Sequence, residues 1–365
     1  MIFLGAGASK ALGLKTMQDL TEDLVRKMKA AGYGDIVEEV LGALKKFHLT
    51  PDFENIYTTL LGLAHSLEGI KKSGPLSAFF AARSNFDLGK RNLQDDRFMN
   101  ALLELRDLIY DECTIQRGVI ESKRSLFDRL FQVTGELRET RQIFSKLGST
   151  GSVEVDVGRT IVTTNYDMAV ELYHRWTNNA LSDGFATTRK EYVKEFDLHE
   201  FGKNANSRWL LKLHGSIWQF KQGDRIIQTI SEPKSLPLNI SVGEQMMIYP
   251  IGEKPILQDP YFSLYSIFKE QPWNILIAIG YSFRDEPVNV AILERLGCPD
   301  IPRAKLVIVN PHADLAASNL NPPAELQKRI IPINDYFRED DLLFRKIAVA
   351  ITSKDESEFL TSLSE

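Results

Sequence analysis

The apolar positions of this chain follow two rhythms, one helical and one of short buried strands. Met1-Ile2-Phe3-Leu4 has strand length and runs into Gly5-Ala6-Gly7-Ala8-Ser9. Thr16, with Asp19 three residues on, predicts an N-cap, and Met17, Leu20, Leu24, Val25 and Met28 share one helical face. Gly32 and Gly34 predict the end of that helix. Ile36, Val37, Val40, Leu41 and Leu44 predict a second helix. Thr50-Pro51-Asp52 signals the start of a third, whose buried face is Phe53, Ile56, Tyr57, Leu60 and Leu61. From 74 to about 147 the pattern reads as helical, with amphipathic stretches at 99–109 and 126–137 and no strand-like alternation.

The rhythm then changes. Residues 160–163 form an apolar run that meets Thr164-Asn165-Tyr166-Asp167. Residues 209–213 run into His214-Gly215-Ser216, and 274–279 into Gly280-Tyr281-Ser282. Residues 305–309 run into Asn310-Pro311, and a shorter run at 329–333 ends at Asn334-Asp335. Helical segments such as 287–296 separate several of these runs. Near-continuous apolar strands alternating with helices predict an α/β fold, a Rossmann-like parallel sheet covered on both faces. Ligands of such sheets sit outside the carboxyl ends of the strands, where this chain concentrates its unusual polar residues.

Gly5-Ala6-Gly7 is the first candidate site. Glycines spaced by one allow a sharp turn and a close backbone approach, and the N–H groups of Ala8, Ser9 and Lys10 can face an anion. The bland alternative is a tight strand-to-helix turn. A dinucleotide-binding unit of the ordinary kind returns to a second strand within about 30 residues. Here the next strand-like run begins only at Thr160, so the dehydrogenase layout is excluded and a helical insertion is expected instead. The expected organisation is a Rossmann-like domain over 1–30 and 155–352, a helical module over 31–154 and a polar tail over 353–365. Asn165 and His214 are the candidates for chemistry. Histidine suits general-base work near neutral pH, and the other five histidines lack its strand-end setting.

Composition narrows the classes. The 365 residues are 43% hydrophobic and 25% charged, an ordinary globular balance. A net charge of -5 gives no reason to expect direct nucleic-acid binding. No apolar run reaches the roughly 20 residues that span a bilayer, and no basic-then-apolar leader is visible. Two cysteines, Cys113 and Cys298, cannot make a four-thiolate zinc site. The expectation is a cytoplasmic protein with reduced thiols.

Five segments carry a family resemblance: Gly5-Ala6-Gly7-Ala8-Ser9, Thr163-Thr164-Asn165-Tyr166-Asp167, Leu213-His214-Gly215-Ser216, Gly280-Tyr281-Ser282 and Val309-Asn310-Pro311. They occur in the order of the sirtuin (SIR2) signature. Thr164 stands where that signature has Gln, Tyr281 where it has Thr, and its four-cysteine zinc ribbon is missing. The chain therefore resembles the zinc-ribbon-less, SIR2-like effectors of prokaryotic anti-phage defence. The resemblance implies an NAD glycohydrolase that consumes NAD as substrate, uses no zinc and depletes the cell of NAD in abortive infection. It also implies a homo-oligomer and a separate partner, such as a HerA-type ATPase or a prokaryotic Argonaute.

By the same resemblance, Asn165 orients the attacking water or ribose hydroxyls and His214 is the general base. Asp167 holds the nicotinamide amide or the neighbouring loop, and Thr164 and Tyr166 belong to the same NAD-binding set. Gly5, Ala6, Gly7, Ala8 and Ser9 cradle the pyrophosphate, Gly280, Tyr281 and Ser282 add contacts, and Asn310 holds the adenosine ribose. Asp335 and Tyr336 flank the adenine. Two other readings remain: an NAD-dependent protein deacylase or ADP-ribosyltransferase, and a non-catalytic NAD or ADP-ribose sensor.

Overall fold

The computed structural model describes residues 1–72, 97–136, 138–144, 150–188, 192–204, 206–230, 244–247, 259–271 and 273–364. The helical reading of 74–96, Leu137 and 145–147 falls outside these residues. In chain order, β1 (Ile2–Leu4) and the short α1 (Ala6–Lys10) come first. Four helices follow: α2 (Met17–Met28), α3 (Gly34–Lys46), α4 (Phe53–Lys72) and α5 (Arg97–Cys113). Next are α6 (Arg117–Ser122), α7 (Arg124–Glu136), β2 (Arg138–Phe144), β3 (Thr150–Asp156), β4 (Thr160–Thr163) and α8 (Ala169–Trp176). The middle of the chain forms β5 (Leu181–Ser182), β6 (Phe185–Thr187), β7 (Val193–Phe196) and α9 (Glu200–Lys203). It continues as β8 (Arg208–Lys212), β9 (Gly215–Gln222), β10 (Arg225–Thr229) and β11 (Glu244–Met247). Then come α10 (Tyr261–Glu270), β12 (Ile275–Ile279), α11 (Glu286–Leu296), β13 (Lys305–Asn310) and α12 (Ala313–Leu320). Last are α13 (Ala324–Gln327), β14 (Ile330–Asn334), α14 (Asp341–Thr352) and α15 (Glu356–Ser364).

Contacts divide the chain into two units, with boundaries after Leu14 and after Cys113. The unit carrying β1 is an α/β sandwich. Its seven-stranded sheet has the order β14-β13-β12-β1-β4-β8-β5, and every neighbouring pair is parallel. Alternate residues of each strand enter opposite layers, as the period of two requires. Ile2, Ile161, Leu210, Ile277, Val307 and Ile331 face one layer, where α7, α8 and α14 pack through Leu130, Tyr173 and Ile347. Phe3, Val162, Leu211, Leu276, Leu306 and Ile330 face the other, covered by α10, α11 and α12 through Phe268, Ile292 and Leu320. Burying both faces is why these strands read as continuous apolar runs rather than alternating ones.

Three observations depart from the sequence reading. The stretch expected to be helical contains β2, which pairs with β3 as an antiparallel hairpin. Arg138-Glu139-Thr140-Arg141-Gln142 offers no apolar periodicity to reveal a strand. A second sheet, of five strands in the order β11-β9-β10-β7-β6, fills the region between α8 and α10, where only the run at 209–213 was expected. Within residues 353–365, expected as a polar tail, Glu356–Ser364 form α15, which buries Phe359 in the same layer as α14.

The second unit contains α2 to α5. Thr16 caps α2 as expected, its Oγ1 accepting from the Asp19 N–H at 3.3 Å. The helix gives way to a π-helical turn over Lys29–Tyr33, in which Gly32 takes φ +90°. Asp52 caps α4 through the Asn55 N–H at 2.9 Å. Leu24, Met28, Ile36, Leu60, Leu105 and Ile109 form its interior. By contacts α2 sits in this unit, whereas α6 and α7 belong to the sheet unit.

Candidate functional site

The carboxyl ends of β1, β4, β8, β12, β13 and β14 meet at one edge of the parallel sheet, because every pairing in it is parallel. Strand β1 is central, with β4 on one side and β12 on the other. Such an edge is the ligand-binding edge of an open α/β sheet.

The turn after β1 is locked by backbone. Gly5 donates its N–H to the Ile279 carbonyl and Gly7 to the Gly280 carbonyl, both at 2.9 Å. A Cβ on Gly5 would lie 2.6 Å from the Gly280 carbonyl oxygen, and one on Gly7 would lie 2.8 Å from the Gly280 Cα. Gly280 itself has φ +63°, and a Cβ there would lie 2.2 Å from the Ala8 nitrogen. The three glycines are therefore required by each other. The close approach expected toward a ligand is made first toward the end of β12. The Ala8 N–H, expected to face an anion, donates to the Gly5 carbonyl at 2.9 Å. What α1 exposes at this edge is Ala6 and Lys10.

Asn165 is held next to this turn. Its Nδ2 donates to the Gly5 carbonyl and to Ser9 Oγ, each at 2.9 Å, and its own N–H donates to Thr163 Oγ1 at 3.0 Å. The carbonyl of Gly5 can only accept, so the amide nitrogen must be the end that faces it. Oδ1 is then the atom that Asn165 can offer to another molecule, as an acceptor. Ser9 passes the chain on, its Oγ donating to Asp167 Oδ2 at 2.6 Å. Asp167 Oδ1 accepts the Ala169 N–H at 2.9 Å at the start of α8. Beneath the loop, Lys212 at the end of β8 donates to the Asp167 carbonyl and lies 3.2 Å from Glu171 Oε1. Both side chains are buried, at 3% and 6% exposure. Burial pushes the Glu171 carboxyl above the usual range, and the Lys212 ammonium pulls it the other way. A small cleft is lined by Ser9, Asn165, Asp167, Glu171 and Lys212.

His214 occupies the turn from β8 into β9. Gly215 follows at φ +80°, a conformation that favours glycine, and so accounts for the His-Gly pair. The imidazole is buried, and Nε2 lies 2.6 Å from Asp285 Oδ2. Asp285, also buried, precedes α11. The sequence reading did not single it out: Arg284-Asp285-Glu286 looks like a charged helix start. Only its distance of 71 residues from His214 is bridged by the fold. Ser9 was assigned to the cradle, and its bonds to Asn165 and Asp167 were not foreseen; nor was the Lys212–Glu171 pair.

The remaining candidates spread along the edge. Tyr166 is buried with its ring centroid 6.4 Å from that of His214, and Thr164 is half-buried. Tyr281 points into the core, 4.5 Å from Phe3 and 4.8 Å from Phe283 between ring centroids, whereas Ser282 is exposed. Asn310 donates to the Tyr281 carbonyl at 3.3 Å and caps the following turn through the His312 N–H at 2.9 Å. Asp335 is paired with Lys346 at 3.0 Å and Arg338 at 3.3 Å. Tyr336 is exposed, with Lys10 Nζ 6.0 Å from its ring centroid. Among the described residues no group of three or more His, Cys, Asp or Glu is placed to hold a metal ion. No helix among them is long and apolar enough to cross a membrane.

Residues 159–297 match the family model of the SIR2-like domain. The matched segment runs from the start of β4 to the end of α11. It contains Thr164 to Asp167, His214, Gly280 to Ser282 and Asp285, and leaves out the β1 turn, Asn310, Asp335 and Tyr336. No curated protein matches the chain.

Proposed function

We propose that this chain hydrolyses the glycosidic bond between nicotinamide and its ribose in NAD, releasing nicotinamide and ADP-ribose. One juxtaposition carries the proposal. The Asn165 amide and the His214 imidazole stand at the carboxyl ends of the adjacent strands β4 and β8, and Asp285, after β12, reaches His214; all three lie within the segment that matches the SIR2-like model.

The chemistry asks for what these groups supply. The ribose carbon acquires oxocarbenium character as the bond breaks, and nicotinamide departs neutral, so the leaving group needs no strong acid. Water adds to that carbon and surrenders a proton, which His214 accepts as general base. With its Nδ2 committed to Gly5 and Ser9, Asn165 holds the water or a ribose hydroxyl through Oδ1. Asp167, tied by Ser9 and Ala169, keeps the Thr164-to-Asp167 loop at the nicotinamide end. The pyrophosphate lies over the interlocked turns of β1 and β12, where exposed Ala6, Lys10 and Ser282 are the available contacts. Asn310, Asp335 and Tyr336 lie toward the adenosine.

Within this reading the chain is the NAD-depleting effector of an anti-phage system. It acts in the cytoplasm as a homo-oligomer and is switched on by a partner such as a HerA-type ATPase or a prokaryotic Argonaute. The five signature segments and the shortage of cysteines for a zinc ribbon support that role. Chromatography of NAD incubated with the purified chain, alone and with candidate partners, tests the reaction. Equal release of nicotinamide and ADP-ribose, unaffected by an acetyl-lysine peptide, is expected. Peptide deacetylation in step with nicotinamide release would point instead to a deacylase, and tight NAD binding without turnover under every condition to a sensor.

A further inference from the structure

The segment joining β12 to α11 is fastened more firmly than a connecting loop needs to be. Phe283 is fully buried although its φ is +54°, a conformation that costs a bulky residue free energy and persists only where its surroundings impose it. Its ring packs edge-on against Tyr281, and its carbonyl accepts from Asn289 Nδ2 at 2.9 Å. Tyr265 Oη donates to the Pro287 carbonyl at 2.6 Å from α10. Between these anchors sits Asp285, with Oδ2 2.6 Å from His214 Nε2.

An ionised carboxylate can only accept, so the nitrogen facing it must carry the hydrogen. A neutral imidazole has one protonated nitrogen and one lone pair. We infer that Asp285 is the positioning residue of the site: it holds His214 in the Nε2–H form, so that Nδ1 is the nitrogen that takes up the proton. This rests on the proposed hydrolysis for its catalytic consequence, but the proton arrangement is a property of the resting protein. On proton uptake at Nδ1, the imidazolium keeps its Nε2–H bond to the carboxylate, which stabilises the new charge. The aromatic anchors then explain why Tyr281 and Phe283 flank an otherwise polar strand end: they fix the loop that delivers Asp285.

Nitrogen-15 NMR of histidine-labelled full-length protein reads the tautomer directly, with His214→Gln assigning the signal among the six histidines. Wild type is expected to show His214 with hydrogen on Nε2. In Asp285→Asn, the side-chain amide can donate to Nε2, which shifts the hydrogen to Nδ1. The same variant should lose about 10²-fold or more in kcat for NAD hydrolysis, with KM within about threefold and the melting temperature nearly unchanged. Asp285→Glu, which restores an acceptor, should recover part of kcat and the Nε2–H form. A wild-type His214 with hydrogen on Nδ1 overturns the inference without any variant having to fold. So does an Asp285→Asn protein that keeps the wild-type tautomer and rate. If the tautomers behave as expected but wild type leaves NAD intact, the positioning stands and the proposed hydrolysis fails.

Discussion

At the scale of single residues, Asn165 shows how an amide can be worth more than its shape. Its nitrogen faces two acceptors, the Gly5 carbonyl and Ser9 Oγ, and Ser9 is committed as a donor to Asp167. Asn165→Ala removes two hydrogen bonds, a stability loss of about 1 kcal/mol each, and leaves the turn otherwise intact. Asn165→Asp is expected to be the less stable of the two, because a carboxylate oxygen would then face the Gly5 carbonyl with no hydrogen between them. Thermal melts of both variants check the order; an aspartate variant as stable as wild type would show that the amide is not held this way. Glycine at 280 is a second such point. Gly280→Ala meets both a positive φ and a backbone atom at 2.2 Å, and is expected to cost about 3 kcal/mol or more by urea unfolding. Gly42→Ala, on the exposed face of α3 with nothing near its Cβ, should instead gain roughly 0.5–1 kcal/mol.

Elements differ in how far local sequence determined them. Helix α2 was legible because its cap, apolar stripe and terminating glycine are all local signals. The strands of the parallel sheet were legible for the opposite reason: burial on both faces makes them apolar throughout. Hairpin β2–β3 and the five-stranded sheet were not, since Arg138–Phe144 and Val193–Phe196 mix charged and apolar residues and take their strand form from pairing. Helix α8 carries a cost that only packing explains. His174 is buried against Phe131 and Tyr173, its Nδ1 shares a hydrogen bond with the Val170 carbonyl at 2.9 Å, and desolvation pulls its pKa down to about 4. The folded chain thus keeps His174 neutral, while the unfolded chain protonates it below about 6.5. Stability from this group is complete above pH 6.5 and is lost as pH falls toward 4, by a total on the order of 3 kcal/mol. The stability difference between wild type and His174→Gln, followed by urea unfolding from pH 7 to 4, should fall by that order. A pH-independent difference would contradict the assignment.

For the whole molecule, topology does what sequence could not announce. Asn165 and His214 were readable because each ends an apolar strand, and the order of the sheet brings those strands side by side. Asp285 and the Ser9–Asp167 bond were not, because long-range proximity leaves no mark on local pattern. The glycine turn reads in the sequence as a close approach to a ligand, whereas the approach its glycines make is to the end of β12. On the proposed hydrolysis, NAD meets an edge already fastened from three strands, with the acceptor of Asn165 and the imidazole of His214 offered to it. The most direct measurement is the rate of NAD loss under the condition that activates wild type, compared among wild type, Asn165→Ala and His214→Ala. The account predicts that each variant folds and loses about 10²-fold or more of the rate. Folded variants that hydrolyse NAD as fast as wild type would contradict it.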